Sequence, residues 1–344
     1  MKSKQVKWIS LLSALVLGAS LLMSGCGNTP AANTESPSEK TEVKEEEKQD
    51  AAEAEAESPD AAAVANVSEK NTETEAAGTA VPAAEVSAEK KDITLTLFAA
   101  KSLNTVMEDI IASYQTSHPG VEIIGNYDSS GTLQTQIQEG ASCDIFFSAA
   151  QKQMNTLEDE GFVVDGTRHN VVNNQVVVVT WPGSGTKVTG LENLSDAANM
   201  ALADGSVPVG KYTRQALVNA GILTAPADGD VSLITTKEVS DALGGLEINE
   251  CANVGAVAAA VSEGSNEVGT TYYSDTYGME DRLEILQTVS YDLTGDVIYP
   301  IAQIINPEAD DAQAAAAAEF VQYVASGECS DVFQKYYFDT NVTD

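Results

Sequence analysis

The apolar positions divide the chain into a short leading run, a long tract with almost no large apolar side chains, and a remainder from about residue 92 in which strand-like and helix-like segments alternate. ITLTLFAA, rich in Ile, Leu and Thr and ending in small residues, predicts a strand. In NTVMEDIIASYQTSHPG, Val106, Ile110, Ile111 and Tyr114 recur at helical spacing until Pro119-Gly120 stops them. VEIIGNY predicts a second strand, TLQTQIQEG a second helix and CDIFFSA a third strand. Strand, helix, strand, helix, strand is a βαβ series, which predicts a parallel sheet with its ligand edge at the strands' C-terminal ends.

VVNNQVVVVTW (171–181) reads as one strand, apolar enough to be buried on both faces and leading into a second lobe. ENLSDAANMALAD predicts a helix and a short strand. The stretch Gly205–Tyr212 opens the helix YTRQALVNAG, with Pro208 in its first turn. GAVAAAVSEG is a helix capped by Asn253, EVGTTYYSDTYG a strand and turn, and DVIYPIAQIIN a strand. EADDAQAAAAAEFVQYVAS and the Phe333–Phe338 tail make a helical finish.

Composition changes this picture at the N-terminus. Lys2, Lys4 and Lys7 precede an apolar run that ends Leu22-Met23-Ser24-Gly25-Cys26, a secretion signal resembling a bacterial lipobox in which Cys26 becomes lipid-modified. Met23 stands where that pattern usually has leucine. A retained transmembrane anchor is the alternative; acyl chains on Cys26 would hold the protein with about 0.8 kcal/mol per buried CH₂. Residues 27–91 carry 16 Asp and Glu against 6 Lys and almost no large apolar side chain, which predicts a disordered acidic tether. With 344 residues, two lobes are expected in the rest. The formal charge of -34 argues against binding nucleic acid or anionic lipid through charge. It does not exclude a small anion, because exposed charges are screened over about 8–10 Å while oriented N–H groups act at contact distance. Setting Cys26 aside, Cys143, Cys251 and Cys329 allow at most one disulfide within the chain, and two histidines are too few for a histidine-rich zinc site.

The candidate chemistry lies at helix starts. Ser129-Ser130-Gly131-Thr132 is an N-cap cluster of hydroxyls and glycine, and the first amides of a helix have no partner inside it. Such a start seats an anion, although the same residues also serve simply as caps. Helix starts with small or hydroxyl residues recur at Ser102, Val209 and Val254, and Tyr272-Tyr273 ends a strand. Ser102 and Ser130 are caps or ligand donors, Val209 and Val254 could offer only backbone N–H, Tyr272 is a core aromatic or a donor, and Asp128 and Asp275 are turn or capping residues. Donors gathered from two facing lobes would suit a fully ionised oxyanion, each hydrogen bond to the charge contributing roughly 1.5–3 kcal/mol. A protonated oxyanion would need an acceptor as well.

From Ile93 to Phe338 the chain resembles the substrate-binding proteins of molybdate ABC transporters, in a lipoprotein form. The resemblance rests on six motifs in order: Ala99–Leu103, Ser129–Leu133, Asp144–Ala149, Val207–Tyr212, Asn253-Val254 and Gly269–Asp275. It implies a type II periplasmic-binding-protein fold, two α/β lobes around a hinge and a cleft. Lobe one is then 92–172 plus 299–344, and lobe two 173–298. It further implies that Ser102, Ser130, Val209, Val254 and Tyr272 hold molybdate, and tungstate with it, for delivery to a membrane permease. On this reading the protein is an extracytoplasmic monomer with no catalytic residues, no cofactor and no metal apart from molybdenum in its oxyanion. Three positions depart from the pattern: Ala150 replaces a usual Asp, Cys143 a small Ala and Val209 a frequent Ala. A sulfate or phosphate carrier is the alternative, disfavoured for phosphate by the lack of an arginine beside the serines. A hydrolase lacks a Gly-x-Ser-x-Gly elbow or a histidine near the serine motifs, and an adhesin would show repeats or an exposed aromatic patch.

Overall fold

The computed structural model describes residues 92–343; the signal sequence, Cys26 and the acidic tether lie outside them. In chain order the elements are β1 (Ile93–Ala100), α1 (Asn104–Ser117), β2 (Val121–Asp128), α2 (Ser130–Gln138), β3 (Ile145–Phe147), α3 (Gln151–Asp159), β4 (His169–Asn174) and β5 (Val176–Thr180). Then come β6 (Asn199–Ala203), α4 (Pro208–Asn219), α5 (Thr236–Ala242), β7 (Glu247–Cys251), α6 (Val254–Ser262), β8 (Val268–Tyr272), β9 (Glu284–Thr288), α7 (Tyr291–Thr294), β10 (Val297–Gln303), α8 (Asp311–Ala325) and α9 (Ser330–Lys335). No helix among the described residues is long and apolar enough to cross a membrane.

Among the described residues, ten strands form two sheets, ordered β2-β1-β3-β10-β4 and β7-β6-β8-β5-β9. The βαβ series does make β1, β2 and β3 parallel. The sheet is nevertheless mixed, because β10 returns from the second lobe and runs antiparallel to β3 and β4. Strand alternation gives the first sheet two apolar faces. Leu95, Leu97, Ala99, Ile145 and Phe147 belong to one buried cluster with α1 and α8, whereas Phe98, Phe146 and Ala302 join Leu133, Met154 and Leu157 of α2 and α3 in another. In the second sheet β6 is parallel to β7 and β8, and β5 is antiparallel to β8 and β9.

Three sequence expectations need correction. The run 171–181 is two strands in different sheets, broken at Gln175. Two asparagines make the crossing: Asn173 Oδ1 accepts from the amides of Asn174 (2.9 Å) and Val297 (2.8 Å), and Asn174 Oδ1 accepts from Gln175 N (2.9 Å). Side-chain oxygens thus replace the carbonyls that a continuing ladder would supply. The chain accordingly changes sheet after Asn174, not after residue 172, and rejoins at Val297, not 299, since pairing of Asn174 with Val297 and Asn173 with Ile298 continues the first ladder. ENLSDAANMALAD is a 3₁₀ segment, Leu191–Asp196, and then β6.

Cys143, Cys251 and Cys329 are free and buried. Burial pushes the thiols of Cys143 and Cys329 up, to about 12 and about 11 respectively.

Candidate functional site

Register places the candidate residues side by side before any side chain is considered. Parallel pairing of β1 and β2 runs to Ala100 opposite Asp128, so the turn carrying Ser102 and the helix starting at Ser130 leave one sheet edge together. The second lobe repeats the arrangement: β6 and β7 end with Ala203 opposite Cys251, and α4 and α6 start from that edge. Tyr272 ends β8, the neighbour of β6.

Each helix start has a local cause. Ser129 Oγ accepts from Thr132 N at 3.1 Å and caps α2, which leaves Ser130 as its first residue. Asn253 Oδ1 accepts from Ala256 N at 3.0 Å and caps α6. Pro208 is the first residue of α4 and Val207 O takes the amide of Lys211 at 2.9 Å. A 3₁₀ turn over Lys101–Leu103 precedes α1. The first amides of these turns, Val209 and Val254 among them, have no intrahelical acceptor.

All five candidates, Ser102, Ser130, Val209, Val254 and Tyr272, line a single cavity between the two sheets, with empty space of about 210 Å³. The centre of a water-sized sphere has only about 10 Å³ of room inside it. Pockets for organic ligands span roughly 300–1,000 Å³, so this one suits a small ion. A wider groove along the same seam, with about 350 Å³ of such room, is lined by opposite charges such as Glu263 and Arg282 and lacks the starts of α2 and α4.

Hydrogen bonding decides what the cavity can do. Ser130 Oγ accepts from Ala149 N at 2.9 Å, which leaves its proton to donate. Asn174 Nδ2 donates to Ser274 Oγ (2.8 Å) and to Tyr299 Oη (3.1 Å), and Tyr299 Oη lies 2.9 Å from Ser102 Oγ. Tyr299 can therefore donate to Ser102 and turn the serine proton toward the cavity. The Tyr272 hydroxyl is buried with no partner, in a ring packed edge-on against Tyr299 at 5.9 Å. Burial holds both phenols protonated, well above the usual tyrosine value. Two charged residues, Lys101 and Asp128, also line the cavity. Lys101 lays its stem on Gly255, where an added Cβ would meet Lys101 Cε at 3.2 Å. Asp128 Oδ1 accepts from Ser129 N (2.7 Å) and, across the cleft, from Asn253 Nδ2 (3.1 Å).

Two features escaped sequence reasoning. Asp275 caps the turn after β8 as its position implied, accepting from Tyr272 N and Thr271 Oγ1 at 3.0 Å each; what sequence did not show is the desolvation that pushes its carboxyl up to about 7. Asn253 is a cap and an interlobe contact at once; the cap was visible in its position before GAVAAAVSEG, while its partner Asp128 lies 125 residues away.

Two α/β lobes with helix starts from both converging on one small cavity define a cleft-type binding protein. The chain belongs to the bacterial extracellular solute-binding protein family, whose profile matches residues 95–339. It is similar to the molybdate-binding protein ModA of Escherichia coli, 28% identical over 251 residues covering 71% of this chain and 88% of that one. It is also 29% identical over 250 residues to YvgL of Bacillus subtilis, named as a candidate ABC transporter substrate-binding lipoprotein, covering 72% of this chain and 87% of the relative. Among solved structures, the periplasmic molybdate-binding protein of Azotobacter vinelandii superposes with a TM-score of 0.57 at 16% identity, covering 73% of this chain and 99% of that one. The sulfate-binding protein SubI of Mycobacterium tuberculosis gives 0.56 at 16% identity, covering 72% and 86%. The fold is thus the type II periplasmic-binding-protein architecture that the motifs implied.

Proposed function

We propose that this chain is the extracytoplasmic substrate-binding lipoprotein of an ABC importer, anchored through Cys26. It captures molybdate, and tungstate with it, and delivers the ion to a membrane permease. The observation that carries the reading is the orphaned Tyr272 hydroxyl in a cavity where the first turns of both lobes meet. A buried polar group without a partner is costly, and an oxyanion would satisfy it.

In this reading Ser102 and Ser130 donate from the first lobe, and Val209 N, Val254 N and Tyr272 Oη from the second. Closure of the lobes completes the set, and the closed form is what the permease recognises. Molybdate is favoured by the six sequence motifs and by relatives carrying that name at 28% identity. The sulfate-binding neighbour shares only the fold.

Titration calorimetry on the ligand-free protein tests the assignment. Tight binding of molybdate and tungstate is expected, with sulfate much weaker; equal sulfate affinity overturns it. Elemental analysis after soaking in mixed oxyanions with sulfate in excess should return near-stoichiometric molybdenum or tungsten.

A further inference from the structure

The cavity wall that the second lobe supplies is held from behind by an arginine with no role in the reading so far. Arg214, in the second turn of α4, is 0% exposed. Its Nε donates to Ile234 O at 2.7 Å, Nη1 to Ala203 O at 2.8 Å and Gly210 O at 2.9 Å, and Nη2 to Thr236 Oγ1 at 3.2 Å. Every acceptor is neutral. Among the described residues no carboxylate oxygen bonds the guanidinium. Glu250 is reached only through the Thr236 hydroxyl, and Asp204 is turned to the amide and hydroxyl of Ser206. Burial lowers the arginine's pKa and these two carboxylates raise it, and a guanidinium stays charged in either case.

Buried charges are ordinarily paired, since an unpaired one is expensive. Here the four bonds satisfy four of the five N–H groups and leave the charge itself without a direct counter-ion. Gly210, whose carbonyl Arg214 holds, follows Val209 on the cavity wall. The backbone between is closely packed: a Cβ on Gly210 would stand 2.1 Å from Asp204 O and 2.4 Å from Ala203 O, and one on Gly205 2.3 Å from Ser232 O. The turn from β6 to α4 is therefore folded tightly around the guanidinium, and its field reaches the cavity through packed protein.

We propose that Arg214 is the buried counter-charge of the oxyanion site: it positions the first turn of α4 by its bonds and selects a doubly charged ligand by its charge. The inference rests on the oxyanion reading and adds what the site discriminates. A Coulomb interaction scales with ligand charge, so removing the cation costs a dianion twice the free energy that it costs a monoanion of the same shape. Lost positioning costs both alike.

The test pairs molybdate with perrhenate, a tetrahedral oxyanion of similar size and single charge, in competition calorimetry on wild type, Arg214→Gln and Arg214→Lys. In Arg214→Gln the factor lost for molybdate should clearly exceed that lost for perrhenate, and be about its square once the common factor seen in Arg214→Lys is divided out of both. Arg214→Lys keeps the charge and should weaken both by one common factor. Equal losses in Arg214→Gln, or none, overturn the inference while leaving the oxyanion reading intact. A wild-type protein that takes neither ion sinks both. Should Arg214→Gln fail to fold, the exposed Glu250→Gln decides, since it removes an opposing charge and touches no cavity atom. Molybdate should then bind more tightly, by a larger factor than perrhenate, and unchanged affinity for both overturns the inference.

Discussion

A hydroxyl buried without a partner penalises the empty protein and rewards the occupied one, so Tyr272→Phe should act with opposite signs on stability and affinity. The ligand-free variant is expected to be as stable as wild type or up to about 1 kcal/mol more stable, while its molybdate affinity falls by roughly 1.5–3 kcal/mol. Thermal melts without ligand and calorimetry with it check the two halves. Ser130→Ala differs, because Ser130 Oγ also accepts from Ala149 N. It should lose about 1–3 kcal/mol of binding and destabilise the empty protein as well. Asp275 supplies a pH dependence of known sign. Its folded-state value is raised to about 7 by burial, so the folded protein holds a proton that the unfolded chain releases above the ordinary carboxylate value. The resulting stability is fully present below about pH 4 and is lost as pH rises toward 7 and beyond. Asp275→Asn should therefore gain on wild type at pH 8, by on the order of a few kcal/mol, and show no such gain at pH 4. Parallel melts at both pH values decide it, and equal differences at the two would refute the assignment. Sequence could mark Asp275 as a turn residue, but its burial depends on β8 and on Tyr299, far along the chain.

At the scale of elements, the site is four helix starts leaving two sheet edges, and these were legible because capping is local. Ser129 before Ser130, Pro208, and Asn253 before Val254 each act within one turn. What stayed hidden depends on pairing across distance. The valine run after Asn173-Asn174 hid a change of sheet, since apolar residues on both sides of Gln175 are equally suited to either sheet. β7 and β9 occupy the two edges of the second sheet, and their half-exposed sequences, EINEC and EILQT, lack the apolar pattern that marks β5. Glycines at two of the helix starts give an element-scale prediction. Gly210→Ala drives a Cβ to 2.1 Å from Asp204 O, backbone that cannot yield without moving α4, and should cost about 1–3 kcal/mol of stability together with most of the binding. Gly255→Ala meets the flexible Lys101 stem at 3.2–3.3 Å and Asn253 Oδ1 at 3.4 Å, and should fold normally with a smaller loss of affinity. Denaturant midpoints and calorimetry on the pair separate the two.

For the whole two-lobed body, the question is what holds the halves shut. Contacts between the lobes without ligand are of two kinds: polar ones, Asn253 with Asp128, Gln153 Nε2 with Ser206 O at 3.4 Å, Tyr337 Oη with Glu280 Oε1 at 2.9 Å, and Lys152 Nζ with Asp230 Oδ2 at 2.7 Å and Ser232 Oγ at 2.8 Å, and aromatic ones, Tyr273 stacked on Tyr337 and Tyr277 against Tyr336. The Lys152–Asp230 pair is 42% and 35% exposed on its two sides, and a pair so open to solvent contributes about 0–1 kcal/mol. Lys152→Ala should thus weaken molybdate binding by less than about fivefold, and the deficit should shrink in high salt, where wild type loses the same contribution. The tyrosine contacts and the ligand supply the rest. At a hundred times its Kd a ligand that binds only the folded state stabilises it by about 2.7 kcal/mol, which should appear as a higher Tm with molybdate and not with equimolar sulfate. Small-angle scattering should show contraction on binding, with Lys152→Ala reaching the same closed dimensions as wild type. If the ligand-free protein already scatters as the closed form, the rim contacts are stronger than their exposure allows, and closure is a property of the fold instead of a response to the ion.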